Sequence, residues 1–301
     1  MFASIDETST SLARQSYVAD DGLATSLFLA LKMEKPLFVE GEPGVGKTEI
    51  AKVLSRALDT PLIRLQCYEG LDLNQAAYEW NYPRQLLAIQ ARSLAAQAGG
   101  NEPAEDIFSE AYLLRRPLLR AIDPDLERAP VLLIDEIDRA DEEFESFLLE
   151  LLSDFQITIP ELGTLAARHR PITVITSNRT RDIHDALKRR CVYQWIDYPS
   201  RSKELEILHR KVPGIGEQLA EQIVSFVQSV REQDLVKLPG VSETLDWAEA
   251  LGHLEAQALD LAAVDATLGF LLKVQDDLDT LRGGLAASLV AELPSTRADE
   301  S

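Results

Sequence analysis

Five short apolar or β-branched runs punctuate the first two hundred residues: Leu37–Glu40, Leu62–Gln66, Val131–Ile134, Ile172–Thr176 and Val192–Ile196. Each has the length of a buried strand. Between them the apolar positions step by three and four. Gly22–Met33 is an apolar segment of helical length with Lys32 in its last turn. Thr48–Leu58 carries Ile50, Ala51, Val53, Leu54 and Leu58 at helical spacing, and Phe144, Phe147, Leu148, Leu151 and Leu152 form another stripe. Strands that alternate with helices predict a mostly parallel sheet covered on both faces, an α/β fold. Gln156–Pro160, Glu161-Leu162-Gly163 and Thr164–Arg168 read as a β-hairpin set before the strand at Ile172, with Gly163 supplying the turn.

The pattern changes after Tyr198-Pro199-Ser200. Ser200–His209, Gly214–Arg231, Ser242–Leu254 and Asp260–Arg282 all read as helices, punctuated by Val212-Pro213-Gly214 and Leu238-Pro239-Gly240. Gly283-Gly284 is expected to stop the last of them. The expected organisation is an αβα core over residues 1–199, an all-helical lid domain over 200–285 and a disordered tail over 286–301. The long interval Tyr68–Arg128 is expected to hold an insert near 70–128. Ala88–Ala98 is its first helical piece, Gly99-Gly100-Asn101 a break, and Phe108–Ile122 a second helical piece interrupted at Pro117.

Composition narrows the class. The chain has 301 residues, is 46% hydrophobic, and balances 30 Lys+Arg against 50 Asp+Glu for a net charge of -20. That balance argues against a nucleic-acid partner, because phosphate backbones are gripped by neutralising Lys and Arg. No run of about eighteen uncharged apolar residues occurs, so no membrane insertion is expected. The N-terminus carries acids and no apolar core, unlike a secretory signal. Cys67 and Cys191 stand apart without metal-ligand spacing, as buried or half-buried thiols of a reducing, cytoplasmic compartment would.

Gly41-Glu42-Pro43-Gly44-Val45-Gly46-Lys47-Thr48 matches G-x-x-x-x-G-K-[ST] in full, after an expected strand and at the start of an expected helix. In such a loop, glycines let successive N–H groups point inward at phosphates. The helix N-terminus adds free donors and partial positive charge. Lys47 would reach the β and γ phosphates of ATP, Thr48 would ligate Mg²⁺, and Glu49 would complete the nucleotide-binding stretch. Val131-Leu132-Leu133-Ile134-Asp135-Glu136 brings two acids to the carboxyl edge of the sheet, where ligands bind in open α/β folds. Asp135 would hold Mg²⁺ and Glu136 would polarise the attacking water. The acids that follow, Asp138, Asp141, Glu142, Glu143 and Glu145, read as a solvated helix start favoured by the helix dipole. Asn178, after the next strand, is a candidate for contacting the γ-phosphate or the water. Arg179, Arg181, Lys188, Arg189 and Arg190 form a basic cluster. Arg189 and Arg190 are candidates for an arginine supplied across a subunit contact, the alternative being a surface charge cluster.

GEPGVGKTE, LLIDEID, TSN and ALKRRC, in that order, resemble the MoxR-type AAA+ ATPases. RLQCYEGLDLNQAAYEWNYPRQLL, DRADEEFESFLLELLSDFQITIPELGT, TSNRTRDIHDALKRRC and PGVSETLDWA resemble the CoxD-like subgroup, associated with maturation of carbon monoxide dehydrogenase and related molybdenum hydroxylases. The resemblance spans about Tyr17 to Arg282. It implies a P-loop core of five parallel strands with a helical lid. Lys47 and Thr48 then correspond to Walker A, Asp135 and Glu136 to Walker B, Asn178 to sensor 1, and Arg190 or its neighbour Arg189 to the arginine finger. It further implies a homo-oligomeric ring, usually a hexamer, a partner with a von Willebrand factor A domain, and a client metalloenzyme. The family's sensor 2 arginine has no counterpart, since Thr244 stands at its position in Gly240-Val241-Ser242-Glu243-Thr244. The leading expectation is an ATPase that remodels a client. A nucleotide-gated scaffold and a nucleic-acid motor are the alternatives.

Overall fold

The computed structural model describes residues 2–97 and 106–294. The chain opens with α1 (Ile5–Arg14) and α2 (Asp21–Lys32), then β1 (Leu37–Gly41), α3 (Lys47–Leu58) and β2 (Leu62–Gln66). An insert follows: α4 (Leu73–Ala76), β3 (Tyr78–Trp80), α5 (Tyr82–Gln97), β4 (Leu113–Arg115) and α6 (Pro117–Ala121). The core resumes with β5 (Val131–Asp135), α7 (Glu142–Asp154), the hairpin β6 (Gln156–Ile159) and β7 (Gly163–Ala166), β8 (Ile172–Ser177), α8 (Asp185–Lys188) and β9 (Val192–Ile196). Helices complete the described chain: α9 (Arg201–Lys211), α10 (Glu217–Arg231), α11 (Val241–His253), α12 (Leu261–Leu271), α13 (Gln275–Thr280) and α14 (Ala286–Ala291).

Five strands form one parallel sheet in the order β2-β5-β8-β1-β9. Alternation along β5 sorts its side chains between two cores. Val131 and Leu133 pack with α2 and α3 residues such as Leu27, Ile50 and Leu54. Leu132 and Ile134 pack on the other face with Leu118, Leu148 and Leu151. All five residues of β1 and of β5 are buried, which is why these strands read as continuous apolar runs. A third apolar cluster, built around Phe226 and Trp247, belongs to α9–α14.

The insert departs from the sequence expectation. Phe108–Ile122 is helical only in part, from Pro117 onward in α6. It contains a 3₁₀ turn at Glu110–Tyr112, then β4, which pairs antiparallel with β3 through Tyr78↔Arg115, Glu79↔Leu114 and Trp80↔Leu113. Burial of Trp80, Tyr112 and Leu113 outweighs local helical preference. Pro117 begins α6 instead of interrupting a helix, because the first turn leaves its missing N–H without cost. The helix expected over Ala88–Ala98 begins earlier, at Tyr82. The break at Gly99-Gly100-Asn101 lies outside the described residues.

Two further expectations fail near the C-terminus. The single helix Asp260–Arg282 is split between Leu271 and Gln275, with Leu272 extended at φ -109°, ψ 138°. Leu271 and Leu272 are both buried at this break. Gly283-Gly284 does stop a helix as expected, since Gly284 is non-helical at φ 114°, ψ -16°. A separate helix, α14, follows this kink, and its Ala286 and Leu289 join the helical cluster. The expected tail therefore does not begin at residue 286, and its last part, 295–301, lies outside the described residues. Among the described residues no helix is long and apolar enough to cross a membrane.

Candidate nucleotide site at the carboxyl edge

β1 ends at Gly41 and α3 begins at Lys47, so the glycine-rich loop is strung between a buried strand and a helix N-terminus. Gly46, the residue before α3, is left-handed at φ 92°. Gly44, at φ 78°, accepts a hydrogen bond on its carbonyl from the Ser242 N–H of α11 at 3.1 Å. A Cβ at Gly44 would lie 2.7 Å from Glu243 Oε2 and 3.1 Å from Gly240 Cα, so only glycine permits this approach. The Lys47 ammonium is buried at 6% exposure and donates to the Gly41 carbonyl at 2.7 Å and the Glu42 carbonyl at 2.6 Å. Burial pushes its pKa down; Asp138, Glu42, Asp135 and Glu136 oppose that shift without cancelling it.

The acid pair closes the other side of the loop. Asp135 is the last residue of β5 and is 2% exposed. Its Oδ1 accepts from the Thr48 hydroxyl at 2.9 Å and the Thr176 hydroxyl at 2.6 Å. Glu136 sits in the left-handed region at φ 56°, ψ 52°, a conformation non-glycine residues adopt at a cost and keep where the surroundings enforce it. Here the Glu136 N–H donates to the Thr176 hydroxyl at 2.9 Å. Its carboxylate is held by Gln66 Nε2 at 3.0 Å, Arg139 Nε at 3.0 Å and Asn178 Nδ2 at 3.5 Å. The structure thus brings Lys47, Thr48, Asp135, Glu136 and Asn178 together.

A cavity of about 490 Å³ opens beside this edge, a size typical of small-molecule sites. Pro43 to Glu49 line it, along with apolar residues from three directions: Tyr17, Leu23, Ile207, Val241 and Leu245. The Tyr17 phenol has its pKa raised, first by burial and then by Asp20 and Glu49. Lys203 and Lys211 of α9 reach the rim, Lys203 bonded to Asp20 at 2.9 Å and Lys211 at 3.7 Å from Glu49. Gly41 and Glu42 serve through the carbonyls that hold Lys47. Among the described residues no group of three or more His, Cys, Asp or Glu side chains gathers to hold a metal ion. The oxygens of Thr48 and Asp135 suit Mg²⁺ shared with a bound polyphosphate, the manner in which that ion is usually held. The residues present therefore fit MgATP.

Two acids differ from expectation. Asp138 and Glu145 are not part of a solvated helix start; they are 3% and 1% exposed. Asp138 accepts from the Asn178 N–H at 3.1 Å, the Thr180 N–H at 2.9 Å and the Thr180 hydroxyl at 2.7 Å, and so fixes the loop that carries Asn178. Glu145 accepts from the His184 N–H at 2.8 Å and pairs with Arg181 at 2.5 Å. Asp141 does cap α7, accepting from the Phe144 N–H at 2.9 Å.

Arg189 and Arg190 stand away from this loop within the chain. Arg190 Nη1 donates to the Leu149 carbonyl, whereas the Arg189 side chain is 82% exposed with Asp185 at 3.9 Å. Thr244 is buried, donating to Glu204 Oε1 at 2.9 Å. Glu204 is itself forked by Arg231 at 2.7 Å on each oxygen, so the arginine near Thr244 is committed inside the helical region. Cys67 is buried, with its thiol pushed up to about 12 by burial and then by Asp135, Asp138 and Glu136; Cys191 is half-buried.

The sequence reading missed Arg64, Gln66 and Thr176. Arg64 and Gln66 share one face of β2, and the burial pattern of that strand alternates in a way its apolar residues concealed. A polar side chain at every second position of an edge strand is the signal that was available.

Fold and loop together define a P-loop nucleotide-binding domain on a five-stranded parallel sheet, with helices following it. The AAA domain (dynein-related subfamily) pattern matches residues 36–191, over half of the chain, and the chain belongs to that family. It is similar to an uncharacterized protein of Staphylococcus aureus (strain USA300), 26% identical over 206 residues that cover 66% of this chain and 69% of that one. A second uncharacterized protein, from Staphylococcus haemolyticus (strain JCSC1435), is 23% identical over 228 residues covering 73% and 78%. Among solved structures, the Thermotoga maritima RuvB Holliday junction branch migration motor is 18% identical with a TM-score of 0.47, covering 95% of this chain and 79% of that one.

Proposed function

We propose that this chain is a MgATP-hydrolysing AAA+ ATPase of the MoxR type that works in a homo-oligomeric ring, a hexamer, to remodel a client protein. The observation that carries the reading is the convergence of Thr48, Asp135, Glu136 and Asn178 on the loop that holds Lys47. Lys47 and the loop amides bind and orient the phosphates, and Thr48 with Asp135 holds Mg²⁺, which supplies charge neutralisation at the phosphoryl group. Glu136 takes up a proton from the attacking water, and Asn178 orients the Glu136 carboxylate and that water. Glu136→Gln keeps nucleotide binding and lowers turnover by about 10²- to 10³-fold. Turnover at the parent rate would overturn the assignment.

Ring action needs an arginine from a neighbouring subunit. The exposure of Arg189 and the commitment of Arg190 to Leu149 favour Arg189 for that part. We divide the chain at about residue 199 into the nucleotide-binding core and a helical lid, joined at the Gly44–Ser242 contact. From the CoxD-like stretches, the client we propose is a molybdenum hydroxylase such as carbon monoxide dehydrogenase, with a von Willebrand factor A protein as partner, in the cytoplasm.

One observation favours a second reading, a nucleotide-gated scaffold whose hydrolysis is incidental. Thr244 replaces the lid arginine, and Arg231 is bound to Glu204 instead of facing the loop. Client maturation scored with Glu136→Gln separates the two. Loss of maturation supports remodelling, and retained maturation supports the scaffold.

A further inference from the structure

Asp135 carries an unusual load for a metal-binding carboxylate. Besides the two threonine hydroxyls on Oδ1, its Oδ2 accepts from Arg64 Nε at 3.0 Å and Arg64 Nη2 at 2.6 Å. A carboxylate offers about four lone-pair positions. All are therefore met by the protein's own donors, although Asp135 is only 2% exposed. Arg64 Nη2 also donates to Gln66 Oε1, and Gln66 Nε2 donates to Glu136 Oε2 at 3.0 Å. One guanidinium thus links both acids of the site from a single strand.

The four donors are not equally fixed. Thr48 lies in the first turn of α3, and Thr176 is 1% exposed in a strand with neighbours on both sides. Arg64 lies on β2, the edge strand, and its side chain is 50% exposed. Its guanidinium can swing into water while its stem stays on the sheet. A divalent cation at Thr48 and Asp135, or a water on that cation, needs a carboxylate position that a donor now fills. It also meets a like charge within a few ångströms. Arg64 is the donor that can leave.

We propose that Arg64 is a displaceable clamp on Asp135. Arg64 holds and neutralises the carboxylate, and a divalent cation that binds with nucleotide displaces it to solvent. Arg64 is a positioning residue in this role, and it sets how much Mg²⁺ the site requires. The inference rests on the nucleotide-site reading above.

The test is a Mg²⁺ titration of fluorescent mant-ADP binding to the full chain. Arg64→Gln removes the charge and the fork, and the Mg²⁺ concentration for half-maximal binding falls about two- to fivefold, as expected for a part-exposed ion pair. Arg64→Lys keeps the charge without the fork and falls between the two. Should Arg64→Gln not fold, the lysine variant alone decides the matter. A midpoint that is unchanged or raised overturns the clamp, a raised one meaning that Arg64 supports the metal. If the parent chain fails to retain mant-ADP at saturating Mg²⁺, the nucleotide reading itself fails.

Discussion

The carboxyl edge of the sheet and the helical region each bury a charged network, and the two are built on opposite plans. In the helical region Glu204 receives both prongs of Arg231, the Thr244 hydroxyl and Gln228 Nε2, with Glu204 at 1% and Arg231 at 6% exposure. The pair is stacked under Tyr198, whose ring lies 4.8 Å from the guanidinium. Charge is matched and nothing faces the cavity. At the sheet edge Asp135, Glu136, Asp138 and Lys47 crowd around a loop that opens on it. Their partners there include carbonyls, hydroxyls and a half-exposed arginine, groups that an incoming phosphate or cation can replace. A closed network holds structure together, whereas an open one keeps its strongest groups on temporary partners.

Removing one member of the closed network should produce the largest change in stability. Arg231→Ala leaves the Glu204 carboxylate buried without its cation and costs about 3–5 kcal/mol. Thermal or urea unfolding of the helical region measures it. A double replacement of Glu204 and Arg231 by Met should recover much of the loss, since well-packed apolar pairs often equal a buried ion pair. A double variant as unstable as the single one would mean that the pair does more than balance its own charge.

The open network is probed next, at Asp138. Asp138→Asn keeps the shape but weakens three hydrogen bonds to Asn178 and Thr180, and should cost about 1–3 kcal/mol. It should also slow hydrolysis through displacement of Asn178. This effect depends on pH with a definite sign. Burial alone would raise the Asp138 pKa, but hydrogen bonds from the Thr180 side chain, the Thr180 N–H and the Asn178 N–H together lower it below the ordinary value of 3.8. A depressed folded pKa adds stability that is fully present above the unfolded pKa and is lost as pH falls through the folded one. The gap in Tm between parent and Asp138→Asn should therefore be full at pH 7 and close as pH drops below about 4. A gap independent of pH would assign the loss to packing.

The same contrast explains what could be read from the sequence. The five strands and the loop Gly41–Thr48 were legible because their signals are contiguous: buried apolar runs, and an eight-residue pattern between a strand and a helix. The β3–β4 pair was not, because its two three-residue strands are separated by α5 and no local period marks them. The division of Asp260–Arg282 was hidden by apolar residues on both sides of Leu272. The Glu204–Arg231–Thr244 network joins positions far apart in the chain, so nothing near Thr244 announced why an arginine is missing there. Asp138 and Asp141 looked alike as acids of one tract. Only residues about forty positions later, Asn178 and Thr180, separate them.

Asp141 is therefore the natural control for Asp138 and gives the smallest expected effect. It is exposed, accepts one hydrogen bond from the Phe144 N–H, and stands at the positive end of α7, followed by Glu142 and Glu143. Asp141→Ala removes a helix cap and costs about 1 kcal/mol. Because Asp141 touches neither Asn178 nor the acid pair, mant-ADP binding and its Mg²⁺ midpoint should stay at parent values while Tm drops by a few degrees. If Asp141→Ala shifted the Mg²⁺ midpoint as Arg64→Gln does, the acidic tract would be acting as one diffuse field, and the division between bonded and solvated acids would lose its force.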